Sequence, residues 1–112
     1  MMDYCLCDQC VTIYRNTGDK VTRHVVENAW FSLEEALSHP DAAPERRFLL
    51  IVPGPEVGVF VGDRVLPGIG PMQVDWESFI PANIPDLVEV GRTRHFRVGG
   101  KICHTEAEQA WN

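Results

Sequence analysis

Three thiols stand within six residues near the N-terminus, in Cys5-Leu6-Cys7-Asp8-Gln9-Cys10, and a fourth, Cys103, directly precedes His104. Zinc takes four sulfur or nitrogen ligands in a tetrahedron, and a structural site is closed by four protein ligands. Cys7-x-x-Cys10 has the spacing of a metal knuckle, and Cys5 adds a sulfur two residues earlier. Cys5, Cys7, Cys10 and Cys103 are therefore the expected ligands of a structural zinc, with His24 and His104 in reserve. Such a site would join the two ends of the chain. The sequence lacks a second Cys-x-x-Cys, so the zinc-ribbon pattern is incomplete. Two other readings use the same thiols. They can be inert, buried small hydrophobes, or Cys7 and Cys10 can form a thiol-redox or metal-handling pair. Redox work needs an exposed thiol of lowered pKa, often at a helix N-terminus. The residues after Cys10 read as a strand, and the charge of Asp8 between the thiols opposes the thiolate.

Other chemistry is sparse. Ser32, Ser38 and Ser78 lack the Gly-x-Ser-x-Gly context of a strained nucleophile elbow. Pro67-Gly68-Ile69-Gly70-Pro71 lacks the spacing of a phosphate-binding glycine loop and reads as a rigid connector. Glu34 and Glu35 are sequence neighbours and do not face each other on a helix.

Net charge is −6, a poor start for nucleic-acid binding, which draws its affinity from phosphate contacts. The charge is uneven. Arg92, Arg94, Arg97 and Lys101 put +4 between residues 92 and 101 with no acid among them, leaving sixteen acids against six bases, net −10, elsewhere. No secretory leader pattern is visible at Met1–Cys5, and no apolar run approaches the ~20 residues of a spanning helix. The expected setting is cytoplasmic, off the membrane, with reduced thiols. There, clustered cysteines point to metal or redox chemistry rather than disulfides.

The elements that must position these residues read mostly as β-hairpins. Val11–Arg15 and Lys20–Val26 flank Asn16-Thr17-Gly18, the pattern of a three-residue hairpin loop. That register sets Arg15 opposite Asp19, Ile13 opposite Val21 and His24 opposite Cys10. Ser32 and Glu35 have capping-box spacing, which predicts a short helix over 32–37 with Phe31 stapled at its start. Arg46–Val52 contains a continuous apolar run, Phe48–Val52, and predicts a central strand. Val57–Val61 and Arg64–Leu66 predict strands around a Gly62-Asp63 turn. Asp75 predicts one helical turn through Phe79. Leu87–Val90 and Thr93–Val98 are strands, and Gly99-Gly100 is a two-residue hairpin turn into Lys101–His104. It sets Cys103 opposite Phe96 and His104 opposite His95. Thr105-x-x-Glu108 is a second capping-box pattern and predicts a terminal helical turn.

The expected fold is one α+β domain over residues 1–112: a mostly antiparallel, barrel-like sheet of hairpins with one or two short helices. The expected function is a small non-enzymatic, zinc-stabilised interaction, inhibitor or regulator domain. Its partner is expected to be another protein, including a basic nucleic-acid-handling protein docked on the acidic body. The expected partner-binding residues are Trp76 and Phe79, in the aromatic and proline-bearing stretch 67–85, with Arg92, Arg94, Arg97 and Lys101. The alternatives are the thiol or metal-handling protein using Cys7 and Cys10, and a zinc-containing nucleic-acid binder using the 92–101 hairpin.

Overall fold

Alternation of side chains along a strand sorts this sequence into faces. In a computed structural model describing residues 7–36, 45–54 and 58–110, it organises the whole chain. Among the described residues seven strands are formed: β1 (Gln9–Asn16), β2 (Val21–Ala36), β3 (Glu45–Pro53), β4 (Arg64–Pro67), β5 (Val88–Glu89), β6 (Arg92–Val98) and β7 (Lys101–Glu108). They lie in one antiparallel sheet of order β5-β4-β1-β2-β3-β7-β6.

The sheet curls into a half-barrel, and two features of the chain account for the curl. The sixteen-residue β2 serves both halves: Val21–Ala29 runs along β1, and Trp30–Ala36 runs along β3. Between them the register slips, from Gln9 opposite Ala29 to Val11 opposite Val26. Such a bulge bends and twists its strand. The second feature is the link between the two edge strands, β5 and β6, which consists of Val90 and Gly91 alone. Gly91 donates its N–H to the Glu108 carbonyl at 2.8 Å, and a β-carbon at this position would overlap the backbone of Ala110. A side chain is therefore excluded where the chain crosses from one edge of the sheet to the other.

The concave face carries the main core. Val11, Ile13, Val26, Phe48, Leu50, Val52, Val65, Val88 and Ala107 pack there, drawn from both halves of the sheet. Thr12 and Tyr14 alternate with Val11 and Ile13 and so face the other way. The segment 68–87 folds across that outer face and builds a second cluster on Tyr14, Phe79 and Leu87. Tyr14 meets Phe79 edge-on at 4.7 Å and donates its hydroxyl hydrogen to the Pro71 carbonyl at 2.7 Å. Burial holds the Tyr14 hydroxyl above the ordinary tyrosine pKa, against the opposing pull of the Arg23 guanidinium.

The α+β expectation is overturned: every regular element among the described residues is a strand. The helix expected over 32–37 is the second half of β2, with Leu37 outside the described residues. Phe31 and Leu33 pack on the core, and Glu34 and Glu35 stand opposite Arg47 and Arg46. Seven residue pairs with the central strand β3, from Trp30–Ile51 to Ala36–Glu45, outweigh a local capping pattern. The terminal turn expected from Thr105 is the end of β7. Thr105 and Ala107 are buried while Glu106 and Glu108 are not, a period of two. The expected strand 57–61 is not formed over 58–61, and Val57 lies outside the described residues. Gly58–Phe60 is irregular and leads into a turn closed by the Asp63 N–H on the Phe60 carbonyl at 3.0 Å. Arg46–Val52 is a central strand, flanked by β2 and β7, and Gly99-Gly100 makes the hairpin turn with φ of 60° and 81°.

Candidate functional site

The cysteines are distributed by the strands, not gathered by them. Cys5 lies outside the described residues. Cys7 is buried just ahead of β1, while Cys10 within β1 and Cys103 within β7 are half-buried. β2 and β3 stand between β1 and β7, so three strand spacings of about 4.8 Å separate Cys10 from Cys103 along the sheet. Thiolates sharing one zinc lie within about 4 Å of each other. The reserve ligands are also placed elsewhere. The β1–β2 hairpin closes on Asn16 opposite Val21, with a loop of four residues rather than three. Asn16 Oδ1 accepts the Gly18 N–H at 2.9 Å and Thr17 N–H bonds the Lys20 carbonyl at 2.9 Å, which holds the longer loop. His24 therefore stands opposite Ile13, not Cys10. His104 is buried, stacked on Phe96 at 4.5 Å, with its Nε2 3.1 Å from Glu106 Oε2. Among the described residues, no group of three or more His, Cys, Asp or Glu side chains converges on a metal position.

Two arginines that could have served a ligand are occupied by the 68–87 segment. Arg64 donates to the Trp76 and Phe79 carbonyls at 2.6 and 2.7 Å, and its guanidinium lies 3.8 Å from the Trp76 ring. Arg46 donates to the Pro81 and Leu87 carbonyls at 2.6 and 2.9 Å. A cleft of about 460 Å³ beside Arg46, Phe48 and Val88 is thus floored by apolar groups and walled by a structural clamp. Phe79 is 5% exposed and belongs to the second core, so it offers no surface to a partner. Trp76 is half-buried against the same cluster, one ring face covered by Arg64. Ile69 and Met72 are exposed on this segment as isolated side chains, which soluble proteins commonly show.

A third arginine is equally committed. Arg15 meets the buried Asp63 with Nε at 2.9 Å and Nη2 at 2.8 Å, donates to the Gly58 carbonyl and covers the Phe60 ring at 4.2 Å. The Asp63 carboxylate holds the Arg15 pKa above its ordinary value.

The cations of the 92–101 hairpin are different. Among the described residues, β6 forms one edge of the sheet and pairs only with β7. One of its faces carries Arg92, Arg94, Phe96 and Val98, and the other Thr93, His95 and Arg97. Arg92 is matched by Glu108 at 3.1 Å, and Glu106 is engaged by His104. Arg94, Arg97 and Lys101 have no ion pair among the described residues. Phe96 is 36% and Val98 69% exposed, in line with the cations. The β6–β7 register slips between Phe96 opposite His104 and Arg97 opposite Ile102. The extra residue of this bulge, Cys103, is on β7, so β6 itself runs uninterrupted. The expected pairings of Cys103 with Phe96 and of His104 with His95 are displaced by this one residue. Sequence reasoning found the charges of the hairpin but missed Phe96 and Val98. The signal available was that neither face of Arg92–Val98 is wholly apolar, with Phe96 and Val98 sharing a face with Arg92 and Arg94, which marks a strand with no face in the core.

No protein-family model, curated protein or solved structure matches this chain.

Proposed function

We propose that this protein is a non-enzymatic interaction domain that docks on another protein through its β6–β7 hairpin. The observation that carries the reading is a seven-residue edge strand, exposed at six of its seven positions, with three cations lacking ion pairs beside Phe96 and Val98. Unpaired backbone groups on an edge strand are a template for pairing, and charged side chains restrict who can use it. The half-barrel supplies a rigid mount, since β7 is held by β3 along five residue pairs. Regulation or inhibition of the partner follows from occupancy of its surface and needs no chemistry from this chain. Nucleic acid is disfavoured: the chain is net −6, and the Phe96 ring is stacked on His104 rather than open to a base.

Site-directed photo-crosslinking tests the reading. A photoreactive amino acid replacing Val98 should give discrete protein adducts in cells, and one replacing the exposed Asn83 on the 68–87 segment should not. The partner identified should bind the purified chain and lose affinity with Val98→Lys. Equal adduct patterns from both positions, or adducts from Asn83 alone, would refute docking through the hairpin.

A further inference from the structure

We infer that the partner adds an extended acidic strand to the free edge of β6; this rests on the docking reading above and names the chemistry of what docks. An uninterrupted seven-residue strand turns the N–H and C=O of alternate residues away from β7, about three residues' worth. An extended peptide satisfies those groups by strand addition, and its side chains then face those of β6 in register. The facing pattern is specific. Antiparallel addition sets apolar residues of the partner against Val98 and Phe96, an acid on the opposite face against Arg97, and acids against Arg94 and Arg92. Lys101, across the turn from Val98, adds a further positive charge near the start of that segment.

Charge selects this occupant over the others. Arg94, Arg97 and Lys101 are exposed and lack ion pairs among the described residues, although Arg94 stands opposite Glu106, so an acidic strand is attracted to this edge while a basic one is repelled. Among the described residues, a second copy of the chain offers no acidic edge long enough to pair with β6: the one acid on its other edge, Glu89, is engaged by Arg64. Its other edge, β5, has two residues, and a β6–β6 pairing brings two positively charged edges together. Bulk negative charge without a backbone to pair, as on an oligonucleotide, would use the cations but not the edge.

The probe is the fluorescein-labelled peptide acetyl-Val-Glu-Val-Thr-Glu-Thr-Glu-amide, measured by anisotropy against the full chain. The comparison probes are the same peptide with Lys for each Glu, the same peptide N-methylated at alternate residues, and a ten-nucleotide oligothymidylate. The acidic peptide should bind saturably. The Lys and N-methylated forms should bind at least tenfold more weakly. The double variant Arg94→Glu/Arg97→Glu, at exposed positions, should melt like the parent and weaken the acidic peptide about tenfold to hundredfold. Hydrogen exchange at β6 amides should slow on binding. Equal affinity for the N-methylated peptide, tighter binding of the oligothymidylate, a β6-mediated dimer in light scattering, or no binding of the acidic peptide at low salt would each overturn strand addition. If the Val98 crosslinks described above are obtained while the acidic peptide fails, strand addition falls and docking through the hairpin stands; if both fail, both fall.

Discussion

Replacing Asp63 by Asn should unfold the chain at markedly lower urea. The Asp63 carboxylate is 1% exposed as a residue and accepts three hydrogen bonds: Arg15 Nε at 2.9 Å, Arg15 Nη2 at 2.8 Å and the Phe60 N–H at 2.9 Å. An asparagine keeps the shape but loses the charge and turns one accepting oxygen into a donating NH₂. That group faces an Arg15 N–H in either orientation, and at the Oδ2 position the Phe60 N–H as well, donor against donor. A hydrogen bond to a charged group contributes about 1.5–3 kcal/mol, and removing one member of a buried ion pair costs about 3–5 kcal/mol. Arg15 is one-third exposed, so water recovers part of its loss. The expected destabilisation is about 2–4 kcal/mol for Asp63→Asn. The double variant Asp63→Asn/Arg15→Leu should cost less than the two single changes added, because the pair is one interaction. Urea melts followed by tryptophan emission read both quantities. A change of less than about 0.5 kcal/mol for Asp63→Asn, the range of an ordinary surface substitution, would refute the assignment of this pair as the clasp of the 58–63 turn.

Gly91→Ala should destabilise by about 3 kcal/mol or more, since the added methyl overlaps the Ala110 backbone at the crossing between the sheet edges; an unchanged melting temperature would contradict closure there. Tyr14 should ionise above the ordinary tyrosine pKa of 10.0. Because the folded value is raised, its contribution to stability is fully present below pH 10 and declines as pH climbs through the folded value; an absorbance titration at ~295 nm in which Tyr14→Phe removes no late-ionising component would rule this out. Cys103→Ser should leave metal content by native mass spectrometry unchanged relative to the parent, because β2 and β3 separate it from Cys10. Loss of a bound zinc in that variant would show that the two ends share a site.

The signals that carried furthest were a continuous apolar run and a turn with a strict backbone requirement. The central position of Arg46–Val52 followed from a continuous apolar run, and the Gly99-Gly100 turn from the need for positive φ at both positions. The helices failed because Ser32-x-x-Glu35 and Thr105-x-x-Glu108 satisfy a four-residue rule while the flanking residues obey a period of two. Thr105, Glu106, Ala107 and Glu108 alternate in burial, and that alternation was present in the sequence. What was not present was the partner strand: residues 30–36 acquire their strand identity by pairing with β3, which begins nine residues after β2 ends. Registers were less legible still. One extra loop residue, stabilised by the Asn16 side chain, moved His24 away from Cys10, and one bulge at Cys103 displaced His104. The β6–β7 hairpin was half legible. Its charge was countable, but the fate of each cation was not, because Arg92 finds Glu108 only once β6 and β7 pair. Phe79 shows the reverse case, an aromatic in an irregular stretch that a buried outer face claims for packing.

The most direct test of docking through the hairpin is hydrogen–deuterium exchange on the complex with the partner identified by crosslinking. Amides of residues 92–98 should slow on complex formation, because the free edge of β6 becomes paired or covered, while exchange over the 68–87 segment stays as in the free chain. Protection confined to residues 68–87, with β6 exchanging at its free rate, would place the partner on the opposite surface and contradict the reading.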